Sequence, residues 1–282
     1  MNYRHGFHAG NFADVVKHAV LSRIIVHLQS KPAPFRVIDT HAGAGLYDLA
    51  GPQASRTGEW RAGIARVVEA PLAPEIRALL APYLDAVASF NSPGKLTVYP
   101  GSPLLVRKWL RPRDRLIACE LEPEAVEALA HNLGRSIRAK ALALDGWTAL
   151  TAYVPPKERR GLVLVDPPFE VTDEFTRLAE GLAQAHRKWA TGIYLLWYPI
   201  KDRSGPDALA KHLKRSGIGK ILRAEVTILP RPDVNHLTGC GLIIVNPPWT
   251  LESELALLLP ALAKVLSQRE DGFRLDWLAG EK

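Results

Sequence analysis

The chain has 282 residues, with 36 Lys and Arg against 29 Asp and Glu, a formal net charge of +7. Hydrophobic residues make up 47% and charged residues 23%, a balance that suits a packed core and excludes a disordered chain. Two distant cysteines, Cys119 and Cys240, exclude a disulfide framework and a cysteine-based zinc site.

The opening MNYRHGFHAGNFADVVKH lacks the apolar stretch of a signal peptide, and no window approaches the roughly 20 apolar residues that span a bilayer. A cytoplasmic protein without membrane contact is therefore expected. The mild basic excess favours a polyanionic partner without proving one.

In chain order, Asn11 to Gln29 reads as a helix. Asn11 caps it, and Val15, Val16, Ala19, Val20 and Ile24 recur at helical spacing. Phe35 to Asp39 is the first buried strand. The stretch 47–99 holds helical patterns at Ile64 to Glu69 and Pro74 to Phe90, and the usual first crossover helix is displaced to Pro103 to Leu110. Strands follow at Arg115 to Glu120, Lys140 to Asp145, Gly161 to Asp166, Gly192 to Trp197, Ile221 to Ile228 and Gly241 to Asn246, with helices at Pro123 to Leu133 and Asp173 to Trp189.

Continuous apolar strands alternating with helices imply a mostly parallel sheet covered on both faces. About a dozen residues separate the last two strands, so they pair antiparallel. The expected fold is the class I methyltransferase (Rossmann-like) sheet: α/β, doubly wound, seven strands, a terminal antiparallel hairpin. About 75 residues lie between Asp39 and Arg115, too many for a loop. The expected domains are therefore 1–46 with 100–282, and a small helical insertion, 47–99.

Three constellations carry chemistry. Asp39-Thr-His-Ala-Gly-Ala-Gly45 ends a buried strand in a turn whose glycines let a ligand approach the backbone, although a tight turn in any α/β protein reads the same. Glu120 and Asp145 end the next strands. An acid there accepts from ribose hydroxyls or meets the adenine end of a nucleoside, and it equally caps a helix. Three acids at successive strand ends after a glycine turn favour a nucleoside ligand.

The sharpest signal is Asp166-Pro167-Pro168-Phe169, after Gly-Leu-Val-Leu-Val. An Asp carboxylate and a prolyl carbonyl together accept both protons of a planar –NH2 group. They thereby localise its lone pair and stabilise the positive charge that develops on it. Phe169 offers a stacking face to an extruded base. Asn246-Pro-Pro-Trp249 has nearly the same grammar. Its strand is the second member of the antiparallel pair and should emerge at the opposite edge of the sheet, which makes it structural. His5 and His8 have ligand-like spacing but no acidic or cysteine partner, so no metal is expected.

These residues resemble the RlmJ family of bacterial large-subunit ribosomal RNA adenine-N6 methyltransferases. The resemblance rests on Tyr3-Arg-His-Gly-Phe-His-Ala-Gly-Asn11 with Lys17-His18, the turn at 39–45, and Tyr99-Pro-Gly-Ser-Pro103. Arg159-Arg-Gly161, Asp166 to Phe169, Ala190 to Tyr194, Trp197-Tyr-Pro199 and Asn246 to Trp249 extend it over nearly the whole chain. It implies S-adenosyl-L-methionine as cofactor and 23S ribosomal RNA as partner. It also implies a cofactor site at His18, His41, Ser102, Glu120, Asp145, Gly146 and Asp166, and RNA contacts at Tyr3 and Arg4. Phe169 stands where the family often has Tyr; stacking survives that change and a phenolic hydrogen bond does not.

A monomer is expected. Two rival readings are a guanine-N2 methyltransferase, which the N-terminal block disfavours, and an inactive RNA-binding protein, which the intact acceptor motif disfavours. Arg111, Arg113, Arg159, Arg160, Lys211, Lys214, Arg215 and Lys220 are candidate phosphate contacts, some of which should flank the mouth of the site.

Overall fold

A computed structural model of the chain describes residues 4–171, 173–229, 233, 237–267 and 271–280. Tyr3 lies outside the described residues. Helix α1, Phe12–Gln29, begins where expected: the Asn11 side chain accepts from the backbone N–H of Ala13 and Asp14, satisfying two end donors. Few of its side chains reach solvent. Val15, Val16, Val20, Leu21 and Ile24 are buried, and so are Asp14, Lys17, His18 and Ser22.

The strands are β1 (Arg36–Asp39), β2 (Leu46–Asp48), β3 (Val98–Pro100), β4 (Arg115–Glu120), β5 (Ala139–Ala143), β6 (Gly161–Val165), β7 (Ile193–Ile200), β8 (Ile221–Thr227), β9 (Gly239–Val245) and β10 (Phe273–Ala279). Eight of them form one sheet in the order β10-β8-β9-β7-β6-β1-β4-β5. Strands β5, β4, β1, β6 and β7 run parallel. Strand β9 is antiparallel to both β7 and β8, as expected for the late pair.

The other helices are α2 (Pro52–Thr57), α3 (Arg66–Glu69), α4 (Pro74–Ala88), α5 (Ser102–Trp109), α6 (Pro123–Leu133), α7 (Gly146–Ala152), α8 (Glu174–Lys188), α9 (Ser204–Arg215) and α10 (Leu251–Ser267). Successive strand residues serve opposite faces. Leu162, Leu164 and Ile244 join the cluster of α1, α5 and α10, whereas Val163, Val165 and Val245 join that of α8 and α9. This is the class I methyltransferase sheet, doubly wound and covered on both sides.

The count of seven strands is corrected to eight. Strand β10 pairs antiparallel with β8 at the sheet edge and leaves Phe273 and Trp277 partly exposed. An edge strand with a solvated side alternates with polar residues, so it lacks the continuous apolar run that marks a central strand.

Within 47–99, β2 and β3 pair antiparallel, with Leu46 opposite Pro100 and Asp48 opposite Val98. The two ends of the stretch are thus zipped together. Its apolar residues Ile64, Val67, Leu80, Tyr83 and Val87 join the cluster around α1. Gly63 permits a close backbone approach: a Cβ there would lie 2.1 Å from the Gly10 carbonyl oxygen.

Candidate active site

The parallel strands β1, β4 and β6 end side by side and deliver Asp39, Glu120 and Asp166 to one edge of the sheet, the position where doubly wound folds bind ligands. Asp166 follows β6 directly. Its Oδ2 accepts from Lys17 Nζ at 2.5 Å, and the same ammonium donates to Asp14 Oδ1 at 2.8 Å. Asp14 Oδ2 accepts from Gly10 N at 2.9 Å and pairs with His5 Nε2 at 3.0 Å.

Lys17 is only 4% exposed, and a buried ammonium persists only beside counter-charges. Burial works to discharge it, but the Asp14 and Asp166 carboxylates outweigh burial and raise Lys17 well above the ordinary lysine range. Lys17 is the functional side chain that the sequence reading did not single out. Its signal is a lysine three residues after an aspartate within the largely apolar first turns of a helix.

Asp39 Oδ2 accepts from Ser102 Oγ at 2.7 Å, and Oδ1 has no partner among the described residues. Burial pushes this carboxyl up to about 7, against the Ser102 bond. The turn after β1 is stitched to β4 through Glu120. One oxygen accepts from Gly43 N at 2.8 Å, and the other from Leu121 N and Glu122 N at 2.7 and 3.0 Å.

Thr40 Oγ1 donates to the Leu164 carbonyl and so accepts from His41 Nδ1 at 2.8 Å. Burial pushes His41 down to about 4 and His18 down to about 3, so both imidazoles are neutral.

A cavity of about 1240 Å³ opens here, walled by His18, the turn at 42–44, Ser102, Glu120 and Asp166 to Phe169. The ring of Phe169 is edge-on to Phe175 and Trp197, at 4.8 and 5.8 Å between centroids, and its N–H donates to Glu174. Arg4 and Lys201 stand in the cavity wall, with Gln53 and Glu59 of the insertion.

The segment before α1 is tied down. His8 Nδ1 lies 3.0 Å from Glu59 Oε2, and the Thr57 hydroxyl donates to the Phe7 carbonyl. The absence of an acidic partner for His5 and His8, expected from sequence, is thereby corrected: Asp14 and Glu59 come from a later turn and from the insertion. Among the described residues no group of His, Cys, Asp and Glu is arranged to hold a metal.

Asp145 and Gly146 do not line the cavity itself. Asp145 caps α7, accepting from Thr148 N at 2.8 Å. Gly146 packs behind His41, where a Cβ would lie 2.5 Å from His41 Nε2.

Asn246 emerges at the opposite edge of the sheet, as its strand direction requires. Its side-chain amide donates to the Ala190 and Gly192 carbonyls, each at 2.8 Å. The candidate phosphate contacts are corrected as well. Arg111, Arg113, Arg159, Arg160 and Lys220 precede β4, β6 and β8, which run with Asp166 at their far end, so they sit opposite the cavity. Lys211, Lys214 and Arg215 lie on the last turns of α9, which lead to the start of β8. Arg111 is also occupied, by Asp114 and by the carbonyls of Gln29, Lys31 and Ala33.

A family model described as ribosomal RNA large subunit methyltransferase D, RlmJ, matches residues 32–279. The chain is 42% identical over 282 residues to ribosomal RNA large subunit methyltransferase J of Escherichia coli K12, and 37% identical over 283 residues to that of Haemophilus influenzae Rd. Each alignment covers 100% of both sequences. The crystal structure of protein LPL1258 from Legionella pneumophila is similar with a TM-score of 0.85 at 32% identity, over 98% of this chain and 99% of that one. With its strand order, strand-end acids and Asp-Pro-Pro-Phe turn, this chain belongs to the RlmJ family of large-subunit ribosomal RNA methyltransferases.

Proposed function

We propose that this enzyme transfers a methyl group from S-adenosyl-L-methionine to the exocyclic N6 of an adenine in 23S ribosomal RNA. Membership of the family supports ribosomal RNA methylation. That an exocyclic amino group is the acceptor is supported by one observation: Asp166, followed by two prolines and Phe169, has Oδ2 fixed by a buried ammonium while Oδ1 has no hydrogen-bond partner among the described residues; the N-terminal block favours adenine over guanine.

The cavity fits the cofactor. It is large enough for a nucleoside with its amino-acid arm and a second base. Glu120 uses three of about four acceptor sites on backbone N–H groups and keeps one for a ribose hydroxyl. His18 Nε2 is a buried polar atom with no partner among the described residues. Ser102 and His41 complete the wall, and Asp145 with Gly146 back the adenine end. Bound there, the cofactor supplies an electrophilic methyl on a sulfonium.

Asp166 Oδ1 and the Pro167 carbonyl accept the two N6 protons. The amine lone pair then leaves conjugation with the ring. Transfer of the methyl would place positive charge on N6, and the adjacent Asp166 carboxylate would stabilise it until the proton leaves to water. Phe169 and Trp197 hold the extruded base. Arg4, with Tyr3, contacts the RNA.

The test is methylation of protein-free 23S RNA with a labelled methyl donor, followed by digestion to nucleosides. N6-methyladenosine as the labelled product supports the reading; N2-methylguanosine, or no incorporation, overturns it.

A further inference from the structure

Behind the cavity lies a chain of three fully buried polar side chains from three elements. His18 Nδ1 on α1 is 2.6 Å from the Tyr99 hydroxyl on β3, and that hydroxyl is 2.9 Å from the Tyr83 hydroxyl on α4. The residues are 1%, 0% and 0% exposed. His18 and Tyr99 are stacked, with ring centroids 5.7 Å apart at 28°. Tyr99 is the only partner of the Tyr83 hydroxyl among the described residues.

Three protons serve this chain: two phenolic and one on the imidazole, which burial keeps neutral. The chain itself contains two hydrogen bonds. If His18 carried its proton on Nδ1, it would donate to Tyr99, and Tyr99 to Tyr83. The Tyr83 proton would then be buried with no acceptor and the Nε2 lone pair with no donor, and each unmet buried group is destabilising. In the reverse direction, Tyr83 donates to Tyr99 and Tyr99 donates to His18 Nδ1. Both internal bonds form, and the third proton sits on His18 Nε2. That nitrogen belongs to a residue of the cavity wall and has no partner among the described residues. This direction leaves a single unmet donor, on a residue that lines the cavity, where the other leaves two unmet groups, the Tyr83 proton and the Nε2 lone pair.

We propose that Tyr99, backed by Tyr83, is a positioning residue that fixes His18 as the Nε2–H tautomer and so presents an N–H donor to the carboxylate of the cofactor. The cofactor identity rests on the function proposed above; the tautomer assignment does not. The carboxylate is the one anionic group of S-adenosylmethionine, and a neutral N–H donor orients it without a competing charge beside Lys17. The relay also ties the insertion to the cofactor: Tyr83 stands on α4, and its influence reaches the ligand through two hydroxyl groups.

The experiment is nitrogen-15 histidine NMR on the cofactor-free full chain, with the His18 signals assigned by comparison with His18→Asn. An Nε2-protonated ring with a bare Nδ1 is expected. Tyr99→Phe should convert it to a mixture of tautomers, whereas Tyr83→Phe should keep the tautomer, because Tyr99 still has its proton to donate. In calorimetry with S-adenosylmethionine, Tyr99→Phe should weaken binding about tenfold, in the range of one lost hydrogen bond to a charged group, and Tyr83→Phe by less than about threefold.

A wild-type ring protonated on Nδ1 overturns the proposal without any variant. So does unchanged cofactor affinity in a folded Tyr99→Phe protein. If the expected tautomer is present but S-adenosylmethionine does not bind the wild type, the cofactor assignment falls, and with it the role of the donor, while the relay itself stands.

Discussion

Lys17 carries a charge in a place where burial opposes it, and two carboxylates keep it there. Removing the ammonium as Lys17→Met leaves Asp14 and Asp166 facing each other at low solvent access. We expect a loss of about 3–5 kcal/mol in denaturant unfolding, the scale of breaking a buried pair from one side. Adding Asp14→Asn should restore part of that loss, because the two sites share one interaction. Asp166→Ala acts differently. Lys17 keeps Asp14, so the protein stays folded, while methyl transfer falls roughly 100-fold or more. Near wild-type turnover with a labelled methyl donor would remove Asp166 from the mechanism. Asp166 was legible in the sequence because its motif directly follows an apolar strand. Lys17 was not, because its meaning depends on a partner 149 positions away. Tyr83 and Tyr99 were silent for a related reason: a buried tyrosine looks like any large apolar residue until the neighbour of its hydroxyl is known.

Strand β9 shows how direction separates two motifs of similar wording. Asn246 ends a strand antiparallel to β7, so its amide meets the carbonyls that precede β7 instead of the cavity. Asn246→Ala should therefore lower stability by about 0.5–1.5 kcal/mol, the scale of ordinary hydrogen bonds to partly exposed carbonyls, and leave the turnover of the folded fraction unchanged. Melting and activity measured on one sample separate the two effects. The central elements were readable because both faces of their strands are covered, which writes an uninterrupted apolar run. Strand β10 has a solvated edge and writes an alternating one. Helix α10, with Leu251, Leu255, Leu258, Leu262 and Leu266 buried at helical spacing, was missed although its signal was plain.

Across the whole molecule, three buried groups set the response to acid. His18 and His41 stay neutral in the fold down to about 3 and about 4, against an ordinary value of 6.5, whereas Asp39 is protonated in the fold below about 7. Between pH 6.5 and 4 the unfolded chain therefore holds two histidine protons that the fold lacks. The fold holds one aspartic proton that the unfolded chain lacks. These three groups together place one more proton on the unfolded chain, so their contribution to stability falls as pH drops, on the order of 1 kcal/mol per unit. Urea unfolding at pH 6.5 and pH 5 checks this, and His41→Asn should flatten the slope by balancing the remaining pair.

Charge at the surface makes a second molecule-wide prediction. Composition reported the basic excess but not which end of the sheet carries it, so the eight cations first considered proved to lie opposite the cavity. RNA binding should instead depend on Arg4 and Lys201. Replacing either with Ala should reduce the slope of log affinity against log salt by roughly 0.7–0.9, and Arg111→Ala should leave it unchanged.

The packing of the two ends of the chain bears on how the protein is made. Helix α1 leaves the ribosome before α10, yet part of its cover is α10, and Arg23 is clasped by Glu254 through two hydrogen bonds of 2.8 and 3.0 Å. Until α10 has emerged, a helix that is apolar on most sides lacks this neighbour. A nascent chain that stops before α10 would therefore leave this apolar face of α1 open to other apolar surfaces.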